Sequence, residues 1–395
     1  MRLLKLKDLV NNCPCSYGDD IGKYDDVVPV VKVSNINGEG YFKNNFEKRS
    51  FPSKKLDKLL TQEGDLLVVK SSGSKLNILS GKTAIVNKKL SNNIVSSNFL
   101  LRLSPRKDKV FPKYLWYLLN SQFSRNYVKT IVGATTYPNL KWDLYSKHPV
   151  PYVDICEQKS IVQKLDIANS LRQKRKEQLA LLYDYLKSVF LDMFGDPVMN
   201  EKRFQIIPIR KIIAEVKYGT NKKANPDDGK FPILRMNNIT YSGEWNLTNL
   251  KYIDLETSEI EKYTVKKGDL LFNRTNSKEL VGKTAVFESN KVMAYAGYLI
   301  RCRFNEEKVK PIYVSNFLNS KYGKAKLMHM CKNIVGMANI NAQELQDIKI
   351  TLPPIDLQNK FVSIVEQVEQ IKQKMRASLD EMNNHFNSLM QRYFE

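Results

Sequence analysis

Two stretches of the chain step between seam positions at alternating intervals of three and four residues. The first runs Leu165, Ala168, Arg172, Arg175, Leu179, Leu182, Leu186, Val189 and Met193; the second runs Val365, Val368, Lys372, Met375, Leu379, Met382, Phe386, Leu389 and Tyr393. Each position has its counterpart 200 residues further on. This is the a/d spacing of a coiled coil kept up for about four heptads, so it predicts two long amphipathic helices of about 37 residues, each on the order of 55 Å long. Such helices bury their seams best against each other, and a module at each end requires them to run antiparallel. Arg172 and Lys372 interrupt the apolar seam. There it splays, or is met by carboxylates, or lets the cations snorkel to water.

The segments between the helices alternate short β-like runs with turn signals. VPVVKV and DLLVV read as strands, Asn37-Gly38 and Ser72-Gly73 as turns, and Lys113 to Val128 as helix. They too occur twice in one order: Tyr17-Gly18 with Tyr218-Gly219, VPVVKVSNI with FPILRMNNI, EGDLL…GKTAIV with KGDLL…GKTAVF, FLLR with YLIR, LNS with LNS, and IVG with IVG. The expected architecture is a duplicated mixed α/β (α+β) module separated by two long antiparallel coiled-coil helices, a pseudo-two-fold dumbbell. Its parts are a first module at 1–155, a spacer helix at 156–195, a second module at 196–355 and a second spacer helix at 356–395. Asp154 and Asp356 are the expected N-caps, and Gly195-Asp196-Pro197 stops the first helix.

Charge sharpens the picture. The 395 residues carry 63 Lys+Arg against 41 Asp+Glu, a formal net charge of +22, and both halves are basic. A basic surface spread over folded modules suits a polyanion, because neutralising phosphates releases condensed counterions; the plainer alternatives are a solvated basic face or a flank docking on an acidic partner. Five cysteines without paired spacing, and three histidines, give no metal or disulfide framework. No apolar run has the length of a membrane span, so a cytoplasmic protein without a membrane partner is expected. Gly-Lys-Thr occurs at Gly81 and at Gly282, but a phosphate loop needs glycine five positions earlier, where Leu76 and Ser277 stand. A strand opening from a repeated turn accounts for both.

Loops at equivalent places in the repeat but with different sequences are the candidate contact surfaces. One set follows the GDLL strands: Lys70, Ser71, Ser72, Ser74 and Lys75 in the first module, Asn273, Arg274, Thr275, Asn276 and Lys278 in the second. Another follows IVG: Thr135, Thr136 and Tyr137 against Asn339 and Asn341. Lys217, Tyr218 and Lys222 form a third. Arg pairs with guanine and Asn with adenine through two hydrogen bonds, while Lys and Ser more often grip phosphate. Tyr17 and Tyr218 read more simply as aromatic core.

With these motifs in order and repeated, the chain resembles the specificity subunit of type I restriction-modification systems. The resemblance rests on LDMFGDP (191–197), LPPIDLQ (352–358), KGDLLFNRTNS with GKTAVF, and IVGMANINAQEL (334–345). It implies a non-catalytic reader of double-stranded DNA that takes one half of a bipartite, asymmetric site per module and holds two methyltransferase subunits, joined by restriction subunits. It implies no cofactor on this chain, with S-adenosylmethionine on the methyltransferase. No Asn/Asp-Pro-Pro-aromatic tetrapeptide or nuclease carboxylate cluster is apparent. The rival readings are a DNA-modifying or cleaving enzyme with an unrecognised site, and a coiled-coil scaffold whose charge is incidental.

Overall fold

The structure is a computed structural model. It describes residues 2–43, 45–71, 73–74, 77–132, 139–334 and 337–395. The chain forms two compact units, each drawn from both long helices: residues 1–176 with 377–395, and residues 177–376. The two are built alike.

In the first unit the central antiparallel sheet orders its strands Val10–Cys13, Leu100–Pro105, Leu66–Val69, Thr83–Ile85; in the second the order is Ile213–Tyr218, Leu299–Phe304, Leu270–Asn273, Thr284–Val286. GDLL supplies the third strand each time, whose side chains are buried on both faces, as its unbroken apolar run requires. A two-stranded ribbon closes each module: Arg2–Lys5 on Pro149–Tyr152, and Gln205–Pro208 on Lys349–Leu352. Where one helix was expected after Lys113 there are two, Pro112–Asn120 and Gln122–Val132, parted at Ser121. The second module has the same pair, Pro311–Asn319 and Lys321–Met330.

The repeated motifs turn out to be joints of this scaffold. Asp65 and Asp269 close their turns by accepting the amides of Gln62 (2.9 Å) and Lys266 (2.8 Å). Each also meets the arginine of the FLLR or YLIR strand: Arg102 Nε lies 2.7 Å from Asp65, and Arg301 lies over Asp269 with Arg303 and Glu215 completing the cluster. Thr83 and Thr284 of Gly-Lys-Thr open a strand, and each hydroxyl donates to the glycine carbonyl before it (3.0 and 2.9 Å). The LNS asparagines clasp the same threonines, Asn120 and Asn319 donating to their carbonyls at 2.9 and 2.7 Å. Gly219 is required because a Cβ there would lie 2.3 Å from the Ala296 carbonyl.

The long helices span Ile155–Phe194 and Ile355–Phe394. In the first unit Arg172 bonds Asn383 at 2.8 Å and lies over Phe386, while Lys164 lies over Tyr393. In the second, Lys372 lies over Tyr183 and Phe190 packs on Phe361. Rising numbers meet falling ones, so within each unit the segments run antiparallel. Leu165, Leu379, Met382, Phe386 and Leu389 are buried or half-buried in the first unit, as are Leu179, Leu182, Leu186, Val189, Val365 and Val368 in the second. Of the open outcomes for the seam cations, compensation holds for Lys372: only 1% exposed, it meets Glu244 at 2.9 Å and Glu369 at 2.8 Å. Arg172 takes an amide and an aromatic face instead.

Asp154 caps the first helix through the Glu157 amide (2.9 Å). Asp356 does not cap the second. That helix begins one residue earlier on the Pro354 carbonyl, which leaves Asp356 in the first turn, where its charge complements the dipole. Gly195 ends the first helix at φ 73°. A feature without a sequence signal pins both helix starts. Fully buried Gln158 accepts the Phe111 amide and donates to the Lys109 and Val153 carbonyls; Gln358 makes the same three bonds to Lys310, Lys308 and Pro353.

The modules differ in one buried pair. His148 bonds Ser124 at 2.6 Å and stacks on Tyr127 (4.5 Å) where the second module holds Ile348 and Gly323. Burial holds the imidazole down at about 4. Because the folded value lies below the unfolded one, this stabilisation is complete above about pH 6.5 and drains away as pH falls toward 4, by about 3 kcal/mol. Urea titrations between pH 7 and 4 should show the first module losing this much more than a His148→Ile variant; parallel pH profiles would refute it.

Candidate nucleic-acid interface

In the second module the GDLL strand ends at Asn273, and the chain emerges as a short strand, Thr275–Asn276, paired with Met337–Asn339, itself paired with Lys332–Ile334. Two of the three loop sets expected from the sequence therefore meet in one small sheet. Thr275 donates its hydroxyl to Asn339 at 3.0 Å. Arg274 is held between its neighbours by its backbone, its amide on the Tyr298 carbonyl (3.0 Å) and its carbonyl receiving the Ile340 amide (2.9 Å).

The third set joins through Tyr218. Its ring lies 4.8 Å from the Arg274 guanidinium, and its hydroxyl accepts the Ala342 amide at 2.9 Å. Tyr218 is 41% exposed, so it is a surface residue and the core reading of it is corrected: the strand it ends on leaves the sheet at Gly219, and its ring is left outside.

Other expected contacts are placed differently. Asn273 is fully buried and donates to Leu280, so it belongs to the core strand and is withdrawn from the surface set. Asn341 caps the helix Ala342–Asp347, its side chain accepting the Gln343 and Glu344 amides at 2.8 and 2.9 Å. Lys217 pairs with Glu215 and Lys222 with Glu259, which cancels much of the charge each would offer. Asn276 is half-buried and Lys278 exposed.

The first module carries the same frame. Lys70 takes the place of Arg274, its amide on the Phe99 carbonyl (2.9 Å) and its carbonyl receiving Leu140 (2.7 Å), and Ser71 bridges to Asn139. Gly73–Ser74 pairs with Asn77–Ile78. The expected contacts Ser72, Lys75, Thr135, Thr136 and Tyr137 lie outside the described residues, as does the side chain of Ser74. Tyr17 is half-buried at the rim of a small core, between Arg49 and Lys32, so it too is only partly a core residue.

Two residues at this surface were missed by sequence reasoning. Phe99 and Tyr298 are 61% and 52% exposed, at the turn whose carbonyl holds Lys70 or Arg274. They head FLLR and YLIR; an aromatic at the turn before a buried strand was the available signal. Among the described residues no group of His, Cys, Asp and Glu could hold a metal ion, and no helix is long and apolar enough to cross a membrane.

Known proteins fit this geometry. A family model described as type I restriction modification DNA specificity domain matches residues 211–381. The chain is 24% identical over 389 residues to the type I restriction enzyme EcoKI specificity subunit of Escherichia coli K12, covering 94% of this chain and 82% of that one. It is 22% identical over 387 residues to the StySPI specificity subunit of Salmonella potsdam, with the same coverage. A solved type I restriction-modification S subunit from M. genitalium superposes with a TM-score of 0.52 at 17% identity, over all of this chain and 96% of that one; a chain from a structure of type I R-M complex assembly gives 0.57 at 16%, over 100% and 97%. These likenesses show a common fold. The family model spans the second module and its adjoining helix, the first module repeats the same strand order and joints, and the relatives cover both, so the chain is similar over 94% of its length to specificity subunits of type I restriction enzymes.

Proposed function

We propose that this chain is the DNA sequence-recognition subunit of a type I restriction-modification complex, each module reading one half of a bipartite asymmetric site in double-stranded DNA. The observation that carries it is the pairing of identical joints with unlike surfaces. Asp65–Arg102 and Asp269–Arg301, the threonine clasps and the glutamine pins recur, while the loops they present differ in sequence and strand content. One scaffold with two readout surfaces addresses two different short sequences. Half-sites one helical turn apart on B-DNA lie about 34–36 Å apart, and the paired long helices are the element that sets this spacing.

The same helices dock two methyltransferase subunits, which bind S-adenosylmethionine and modify adenines; restriction subunits complete the complex, in the cytoplasm. This chain contributes no catalytic group. A +22 charge supplies the sequence-independent part of the affinity.

Methylome sequencing of a host with and without this chain and its methyltransferase partner tests the reading. A new two-part adenine motif is expected, and exchanging residues 198–353 for another family member's second module should rewrite one half of it only. Methylation by the purified chain alone would favour an enzyme; sequence-blind binding in the full complex would favour a scaffold.

A further inference from the structure

The tyrosine of each Tyr-Gly pair carries a cation on its ring, but the two modules load it differently. In the second module the cation is Arg274. Its guanidinium lies 4.8 Å from the Tyr218 centroid, its Nε is shut off from water without a hydrogen-bond partner, and no described residue forms an ion pair with it. Tyr218 is in turn fixed by the Ala342 amide on its hydroxyl. In the first module Tyr17 holds Arg49 at 4.4 Å and Lys32 at 5.2 Å, from other elements, and both charges are cancelled: Arg49 meets Glu47 at 2.7 Å and also Asp20, and Lys32 meets Glu47.

We propose that this tyrosine is a cation platform that only the second module uses for reading: Tyr218 positions the uncompensated Arg274 to take a guanine edge in the major groove, while Tyr17 is closed by its own ion pairs. The proposal rests on the DNA-recognition reading above. An arginine fork reads guanine O6 and N7 with two parallel bonds only when its plane is aimed, and stacking on a pinned ring removes the freedom that would blur the aim. An arginine neutralised by carboxylates, such as Arg49, has no such capacity to offer. The asymmetry of the two half-sites then arises partly from which element feeds the same platform.

The test uses the full complex with its methyltransferase, reading its methylation motif and its binding to duplexes substituted one base pair at a time. Arg274→Ala should relax discrimination at one guanine of one half-site by about ten- to a hundredfold. Tyr218→Leu should relax that same position, Tyr218→Phe should relax it less because the ring remains and only its pin to the Ala342 amide is lost, and the double variant Arg274→Ala/Tyr218→Leu should be no worse there than Arg274→Ala alone. The other half-site should be unchanged, and Tyr17→Leu should leave both motifs intact. A uniform loss across all sequences with a shallower salt dependence would make Arg274 a phosphate contact and overturn the proposal. So would relaxation by Arg274→Ala with none by a folded Tyr218→Leu. A wild-type complex that writes no motif would overturn the underlying reading instead.

Discussion

Replacing Phe394 with alanine is expected to destabilise the first module by about 3–5 kcal/mol and to leave the second near its original stability. Phe394 is the last residue of the second long helix, yet its ring is buried against Tyr114, edge-on at 5.3 Å, in a core that also holds Ile161, Leu165 and Met390. Tyr114 is fixed from behind by its bond to the Pro151 carbonyl (2.9 Å). The cavity left by the phenyl ring would open beneath the helix pair, where neither the ribbon nor the helix can collapse to fill it. The repeat supplies the reciprocal case. Phe194 ends the first long helix against Tyr313 of the second module at 4.8 Å, with Phe361 at 5.3 Å, so Phe194→Ala should damage that module instead. Hydrogen exchange resolved by segment reads both. Equal loss of protection in both modules from either variant, or fraying confined to the helix end, would show that these rings are not the clasp.

Removing Asp65 is the second large effect. Asp65→Ala should cost about 3–5 kcal/mol because Arg102, almost wholly buried, would keep its charge with only the Lys58 and Leu59 carbonyls to receive it. The aspartate also holds the Gln62 amide that closes the turn into the GDLL strand. Asp65→Asn retains an acceptor for that amide and should lose less. In the second module Asp269→Ala should be milder than Asp65→Ala, since Glu215 remains beside Arg301 and Arg303. Chemical denaturation of the three single variants ranks them; an Asp65→Ala protein as stable as the wild type would mean that the pair's Coulombic gain merely balances its desolvation.

Much of the fold was legible because the chain states it twice. A step of three and four residues can only place Leu165, Leu182 or Val368 on one face of a helix, and Gly195 followed by Pro197 can only end one. The second copy separated the joints from the surfaces: what recurs, such as GDLL or Gly-Lys-Thr, is scaffold. Single loop residues were less legible. Asn273 and Arg274 are adjacent and both polar, yet one is fully buried and the other carries its guanidinium on a tyrosine ring. The end of the strand decides this, because every residue of Leu270–Asn273 is buried and Arg274 is the first beyond it, and the strand's last residue is not marked in the sequence. Asn341 reads equally as a base contact or a cap until the helix behind it exists to be capped, and Lys217 and Lys222 read as free charge until the strand brings Glu215 beside Lys217 and a separate helix brings Glu259 to Lys222.

By itself, then, the sequence determined the modular duplication, the two long helices and their seams, the basic charge and the loops that differ between copies, because periodicity, capping and composition are local properties that need no partner. Only the tertiary structure decided that each compact unit takes about half of each helix, that Lys372 is buried because Glu244 reaches it, that Tyr218 stands outside the core, and that Arg274 rests on its ring with no counter-charge among the described residues. Those facts depend on contacts between residues tens to hundreds of positions apart, and whether a polar side chain is paired, capped or left free is settled only by what folding brings within hydrogen-bonding distance of it.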